Sequence, residues 1–329
     1  MEKVSQFGIV AIGRNEGDRL VACLKAAIAQ SPFAVYVDSG STDGSVENAR
    51  SLHVEVVELD LSAPFTAARA RNVGCDRLLE RYPHLEYVQF VDGDCTLIEG
   101  WCDRALAILQ ADPTLAVVCG RRRERFPQAS IFNALCDFEW NTPVGEALAC
   151  GGDALMRVAA FQKVGGYAPS LIAGEEPELC FRLRQQGGRI LRIDWDMTWH
   201  DAQMLAFSQW WRRAIRGGHA FAEVSWLHRR DPEGFWQRES RRIWLWGAIV
   251  PLLSFILLPV TNGWSGLLWL LYLLLGFKTY RHARCQGSVS LAFYYGVFCT
   301  LAKFPELQGQ LRFHLNRFKG DRSALIEYK

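Results

Sequence analysis

Over the first 120 residues, short apolar runs alternate with stretches of helical spacing. Residues 7–12, 34–37, 54–59, 87–91 and 115–119 are apolar and bounded by polar or turn residues, which predicts buried strands. Between them, 18–30, 45–51, 66–81 and 99–111 predict helices. Strand and helix in alternation imply an α/β fold with a mostly parallel sheet covered on both faces. Ligands in such sheets bind beyond the carboxyl ends of the strands. The polar motifs fall there: Arg14-Asn15-Glu16, the segment from Asp38 to Gly44, and Asp92-Gly93-Asp94.

Residues 121–200 are less regular. A basic run (121–125) is followed by turn signals at Gly151-Gly152-Asp153 and Gly165-Gly166-Tyr167. A helix is predicted over 175–186, stopped by Gly187-Gly188, and a strand over 189–193.

The pattern then changes. Residues 243–260 carry no charge, long enough to cross a bilayer, with Pro251 and Pro259 expected to kink or end the helix. Thr261-Asn262-Gly263 reads as a turn, and 264–277 is a second uncharged run. Together they predict a hairpin over about 243–277. Arg238, Arg241 and Arg242 before it and Lys278, Arg281 and Arg284 after it place both ends in the cytoplasm. A third apolar segment, about 289–302, reads as re-entrant or interfacial, followed by a basic amphipathic tail on the inner leaflet. The expected organisation is a catalytic domain over 1–228 and a membrane-associated region over 229–329. The expected location is the inner membrane, multi-pass, with the catalytic domain cytoplasmic. Residues 7–12 are too short for a signal-peptide core and fit a first strand better.

Composition adds exclusions. A net charge of +2 gives no basic bias toward nucleic acid. Ten scattered cysteines without a Cys-x-x-Cys pair point to buried thiols in a reducing compartment rather than a disulfide framework.

Asp92-Gly93-Asp94 carries the chemistry. Two carboxylates one residue apart at a strand end can hold Mg²⁺ or Mn²⁺, and Gly93 lets a ligand approach closely. Such a cation bridges phosphate oxygens, which suggests a nucleoside diphosphate substrate. The competing reading is a polar turn.

In order along the chain, these motifs resemble the family 2 glycosyltransferases of the GT-A fold, over about residues 6–215. Asn15-Glu16 looks like the opening signature, and Asp38-Ser39-Gly40-Ser41-Thr42-Asp43-Gly44 like the nucleotide-binding turn. Ala68-Arg69-Ala70-Arg71-Asn72-Val73-Gly74 is similar to the Ala-Arg-Asn-x-Gly helix, Asp92-Gly93-Asp94 to the metal motif, and Gly152-Asp153-Ala154-Leu155-Met156-Arg157 to the acceptor-side segment. Glu175-Glu176-Pro177-Glu178-Leu179 occupies the place of Glu-Asp-x-Asp-Leu.

The resemblance implies that Asn15, Glu16, Asp38, Ser39, Arg71, Asn72, Asp92 and Gly93 bind a nucleotide-sugar, with Asn72 ahead of Arg69 as the ligand-side residue of its helix. It makes Asp92, Asp94 and His200 metal ligands. Glu176 is the candidate base for an acceptor hydroxyl, with Glu175 as the fallback. Glutamate replaces the usual aspartate at 176, extending its reach by roughly 1.5 Å. Gln209-Trp210-Trp211-Arg212-Arg213 partly resembles the Gln-x-x-Arg-Trp box of processive synthases, placing Gln209 and Arg212 on the acceptor side. Arg213 stands where that box has Trp, which weakens a processive reading. The expected partners are a nucleotide-sugar donor, a lipid-linked or glycan acceptor and membrane lipids. The expected activity is an inverting, metal-dependent transfer. A processive polysaccharide synthase, a nucleotidyltransferase and an inactive nucleotide-binding scaffold are the alternatives.

Overall fold

A computed structural model describes residues 6–320 and 326. The chain forms two compact units: residues 1–126 with 139–202, and residues 127–138 with 203–329.

The first unit opens with β1 (Phe7–Gly13), α1 (Asp18–Gln30), β2 (Ala34–Asp38), α2 (Ser45–Ser51), β3 (Glu55–Glu58), α3 (Ala67–Arg81) and β4 (Tyr87–Asp92). Strands β3, β2, β1 and β4 lie side by side in parallel, with Ile12 in register with both Val37 and Asp92. The apolar residues of β1, β2 and β4 are buried on both faces, which is why the sequence reads as continuous hydrophobic runs there. Thr66 caps α3 by accepting a hydrogen bond from the Arg69 amide at 3.1 Å. Gly74 lets α3 approach the sheet: a Cβ there would stand 2.4 Å from Val10 Cγ1.

Beyond β4 come β5 (Cys95–Leu97), α4 (Trp101–Ala111) and β6 (Leu115–Glu124). Then follow α5 (Ile131–Trp140), whose residues to Phe138 belong to the second unit, and β7 (Gly145–Glu146) and β8 (Ala154–Arg157). The first unit closes with α6 (Val158–Lys163), α7 (Glu175–Gln185) and β9 (Arg189–His200). The sheet order is β3-β2-β1-β4-β8-β6-β9-β5, with β7 on β9. It is parallel through β4 and turns antiparallel at β8.

Strands β6 and β9 run past their predicted ends at Cys119 and Ile193, to Glu124 and His200. They pair in parallel, with register shifts after Cys119 and Arg121. In these extensions the polar residues Arg122, Glu124, Thr198 and His200 are turned to the site described below. A hydrophobic-run criterion therefore stops short of them.

The second unit holds α8 (Phe207–Leu227), α9 (Gln237–Trp244), a π turn (Leu245–Ile249), α10 (Val250–Leu257), a 3₁₀ segment (Trp264–Trp269), α11 (Leu270–Ala283), α12 (Val289–Leu301) and α13 (Lys303–Lys319). The π turn sits immediately before Pro251, whose ring and missing N–H disrupt the helical ladder one turn back. Among the described residues, one helix is long and apolar enough to cross a membrane, Gln237–Leu257. The second run is shortened by its 3₁₀ start. The basic segment after α12 packs its helix α13 on α8 at two glycines: a Cβ on Gly218 would overlap the Glu306 carbonyl, and one on Gly309 the Ile215 carbonyl.

Candidate active site

The site forms at the carboxyl ends of β1, β2 and β4, closed by β6, β9 and the start of α7. The β1 and β2 loops are tied together first. Asn15 takes a left-handed backbone (φ 55°), its Oδ1 accepts from the Thr42 amide at 2.7 Å, and its own amide donates to Ser41 Oγ at 2.9 Å. Glu16 pairs with Arg19 at 2.7 Å. Asp38 accepts four hydrogen bonds from its own segment: from Tyr36 Oη, Ser41 Oγ and the amides of Gly40 and Ser41, at 2.5–2.9 Å. It builds an Asx turn, and Ser39 continues it by donating its amide to the Gly13 carbonyl at 3.0 Å.

Arg71 and Asn72 divide the work of α3. The Asn72 amide group is engaged with the Tyr167 backbone: Nδ2 donates to its carbonyl at 2.8 Å and Oδ1 accepts from its amide at 2.9 Å. Arg71, 2 % exposed, instead reaches the end of β4. Its Nη2 donates to Asp92 Oδ1 at 2.6 Å and its Nη1 to Glu175 Oε1 at 2.9 Å, while its guanidinium lies 5.4 Å from the Tyr167 ring centroid. Arg69 is turned away, to the Ala63 carbonyl.

Asp92 also faces Arg122 Nη2 at 3.3 Å. Burial alone would raise its pKa, but the charges of Arg71 and then Arg122 outweigh it and hold the carboxyl well below the usual range. Asp153 is fully buried behind it. Its Oδ1 receives Arg122 Nη2 at 2.9 Å and the Asp92 amide at 3.1 Å, and its Oδ2 receives the Thr198 hydroxyl at 2.8 Å. Gly152 roofs this cluster: a Cβ there would lie 2.8 Å from Asp92 Oδ2, 2.9 Å from Arg122 Nη2 and 3.0 Å from Arg71 Nη2. Gly93 is equally confined, its virtual Cβ 3.1 Å from the Ile12 carbonyl.

Asp94 Oδ2 and His200 Nε2 are 3.3 Å apart, and one donor atom each of Asp94, Cys95 and His200 lies within 4.8 Å of the others. His200 ends β9, next to β5 in the sheet, so the antiparallel pairing places it opposite Cys95. Burial lowers its pKa and favours the neutral ring. Its Nδ1 faces Glu124 Oε2 at 3.6 Å and its ring meets Trp140 edge-on at 4.6 Å. A carboxylate beside a neutral imidazole, with a second carboxylate behind the ring, is a donor set that fits Mn²⁺ or Mg²⁺.

At the start of α7, Glu175 is committed to Arg71. Glu176 turns to the neighbouring loop: its Oε1 accepts from the Cys150 amide at 2.5 Å and from Cys180 Sγ at 3.0 Å. Burial raises its pKa, although these hydrogen bonds work against the shift. Glu178 pairs with Arg182 one turn on, at 2.7 Å.

The first unit therefore brings together Asp92, Gly93, Asp94, Arg71, Gly152, Asp153, Glu175 and His200. Gln209 and Arg212 belong to the second unit. There, Gln209 Oε1 accepts from the Leu205 and Ala206 amides at the start of α8, and Trp210 packs among Phe132, Phe207 and Phe298. Arg122 and Glu124 are site residues that the hydrophobic pattern leaves out. Period-two alternation continued through the basic run would have put both on one face of β6.

This fold and this arrangement of carboxylates at the strand ends define a GT-A domain. Its likeness to the mannosyltransferase PcManGT from Pyrobaculum calidifontis, solved with GDP-Man and Mn²⁺, has a TM-score of 0.59 at 16 % identity, covering 96 % of this chain and 89 % of that one. Residues 9–165, just under half of the chain, match the family model for Glycosyl transferase family 2. The succinoglycan biosynthesis protein ExoA of Rhizobium meliloti (strain 1021) is 30 % identical over 176 residues, 49 % of this chain and 51 % of ExoA. The pre-mycofactocin glycosyltransferase of Mycobacterium tuberculosis (strain CDC 1551 / Oshkosh) is 25 % identical over 208 residues, 53 % of this chain and 43 % of that protein. The chain thus spans about half the length of the curated relatives it matches.

Proposed function

We propose that the first unit transfers a sugar from a nucleoside-diphosphate sugar to an acceptor hydroxyl, with inversion at the anomeric carbon. One observation carries this reading: Arg71 bridges Asp92 and Glu175, with Glu176 the next residue along α7. A donor-binding strand end is thereby joined to a candidate base. Asp94 and His200 are the residues that would hold a divalent cation. When bound, that cation stabilises the negative charge of the departing diphosphate.

The protein's own groups supply the rest. Glu175 is held in an ion pair with Arg71. Among the described residues Glu176 has no cationic partner on its carboxylate, and its raised pKa suits it to accept a proton. Glu176 takes the proton of the acceptor hydroxyl as that oxygen attacks. Arg71 and Arg122 keep Asp92 ionised and in place at the donor's side. The tied loops at Asn15 and Asp38 form the rim where the nucleotide sits.

The acceptor we favour is a lipid-linked or surface polysaccharide intermediate. The assignment of ExoA to succinoglycan biosynthesis supports it. So does the apolar helix Gln237–Leu257, because anchoring confines enzyme and lipid acceptor to one surface and raises their effective concentration. On this reading the second unit holds the protein at the inner membrane.

The test is a panel of sugar nucleotides with solubilised protein, membrane lipids and Mn²⁺ or Mg²⁺, scoring release of free nucleoside diphosphate. Release that needs the cation and is lost in both Asp94→Ala and Glu176→Gln supports the reading. Release that survives Glu176→Gln moves the base elsewhere. Absence of both release and nucleotide binding by calorimetry overturns it.

A further inference from the structure

We propose that Cys150, Cys180 and Glu176 form a second cation site, separate from Asp94 and His200 and selective for a thiophilic divalent ion such as Zn²⁺. The Sγ atoms of Cys150 and Cys180 lie 3.5 Å apart, and Cys180 Sγ is 3.0 Å from Glu176 Oε1. All three residues are buried, and their donor atoms fall within 4.8 Å of one another. A tetrahedral zinc ion with Zn–S of about 2.3 Å and Zn–O of about 2.1 Å sets S–S edges of about 3.8 Å and S–O edges of about 3.6 Å. These two edges therefore need to lengthen by only about 0.3–0.6 Å to accept it.

The backbone favours the same set. Glu176 and Cys180 are four residues apart on α7, hence on one helix face, and Cys150 comes from the loop before β8. The Cys150 amide already orients the Glu176 carboxylate. Nearby in the same unit, the Tyr167 hydroxyl is buried and has no hydrogen-bond partner among the described residues. Two thiolates select for zinc over Mg²⁺ or Mn²⁺, which prefer oxygen donors. On binding, each thiol forms a sulfur–metal bond and releases its proton to solvent, with no change of oxidation state. If Glu176 is the catalytic base, as proposed above, occupancy removes it from proton transfer and zinc inhibits the enzyme.

The probe is Co²⁺ added to the full-length protein in saturating Mg²⁺, read by thiolate-to-metal charge-transfer absorption. The expected band is present in the wild type and in Cys95→Ser, and lost in Cys150→Ser and in Cys180→Ser. No band in the wild type, or a band lost through Cys95→Ser alone, overturns the site. If the serine variants do not fold, X-ray absorption at the zinc edge of wild-type protein with one equivalent of Zn²⁺ reads the ligands directly. Two sulfur neighbours support the site and a purely oxygen and nitrogen shell overturns it. Zinc inhibition of transfer in saturating Mg²⁺ is expected to be at least tenfold weaker in Cys180→Ser. Spectroscopic binding without inhibition keeps the site and removes Glu176 as the base, so the two readings fail separately.

Discussion

Arg71 Nη2 lies 2.6 Å from Asp92 Oδ1, and the opposite nitrogen of the same buried guanidinium meets Glu175 at 2.9 Å. One side chain on α3 thus couples the end of β4 to the first turn of α7. The planar fork of arginine makes two such bonds in fixed directions, which a lysine ammonium cannot reproduce.

Replacing Arg71 by alanine leaves two carboxylates without their shared cation in a buried setting. Breaking a buried pair from one side costs about 3–5 kcal/mol. Arg71→Ala should unfold at markedly lower denaturant concentration, and Arg71→Lys should recover only part of the loss. Equal midpoints for wild type and Arg71→Ala would show that the pairs contribute nothing.

Gly152 has no room for a methyl group without moving Asp92, Arg122 or Arg71. Displacements near 1 Å in a catalytic constellation cost on the order of 10²-fold in rate. Gly152→Ala should therefore fold, since two of the three clashing atoms are the ends of flexible guanidiniums, yet lose about 10²-fold in kcat/KM. Steady-state kinetics beside a thermal melt separates the two effects.

Glu176 has its pKa raised by burial, above the ordinary value of 4.5. As the proposed base it must be ionised, so kcat/KM should rise with pH through an acid limb above 4.5. Stability runs the other way. The folded state prefers the protonated form, so this contribution is full below pH 4.5 and fades as pH rises through the folded pKa. Glu176→Gln should remove the limb along with most of the activity and flatten that part of the stability curve. A pH–rate profile and denaturant titrations at several pH values check both.

Leu252, Phe255 and Ile256 on α10 are 57, 64 and 66 % exposed. If Gln237–Leu257 sits in a membrane, Ile249→Lys, near the middle of the helix, places a charge in hydrocarbon at roughly 2.5–3.5 kcal/mol on an insertion scale. The variant should shift from the carbonate-washed membrane pellet toward the supernatant, with nucleotide binding by the first unit unchanged. An unaltered distribution would argue against a spanning helix.

The sequence by itself determined the α/β alternation, the helices of the first 120 residues nearly to the residue, and the position of Asp92-Gly93-Asp94 after β4. Those features are local: apolar periodicity, caps and turns act over a few residues. It also placed Glu175 and Glu176 at a helix start. What only the tertiary structure decided is which side chains meet. Arg71 and Asn72 are neighbours on one helix, yet the first enters the carboxylate cluster and the second is spent on the Tyr167 backbone. Arg122 and Glu124 sit in a basic run that looks like a solvated surface until β6 pairs with β9 and turns them inward. His200 meets Asp94 because β9 crosses back beside β5, and Cys150 meets Cys180 because a loop folds onto α7. Contacts between residues 30 to 106 positions apart depend on strand order, register and loop placement, and no periodicity along the chain encodes them.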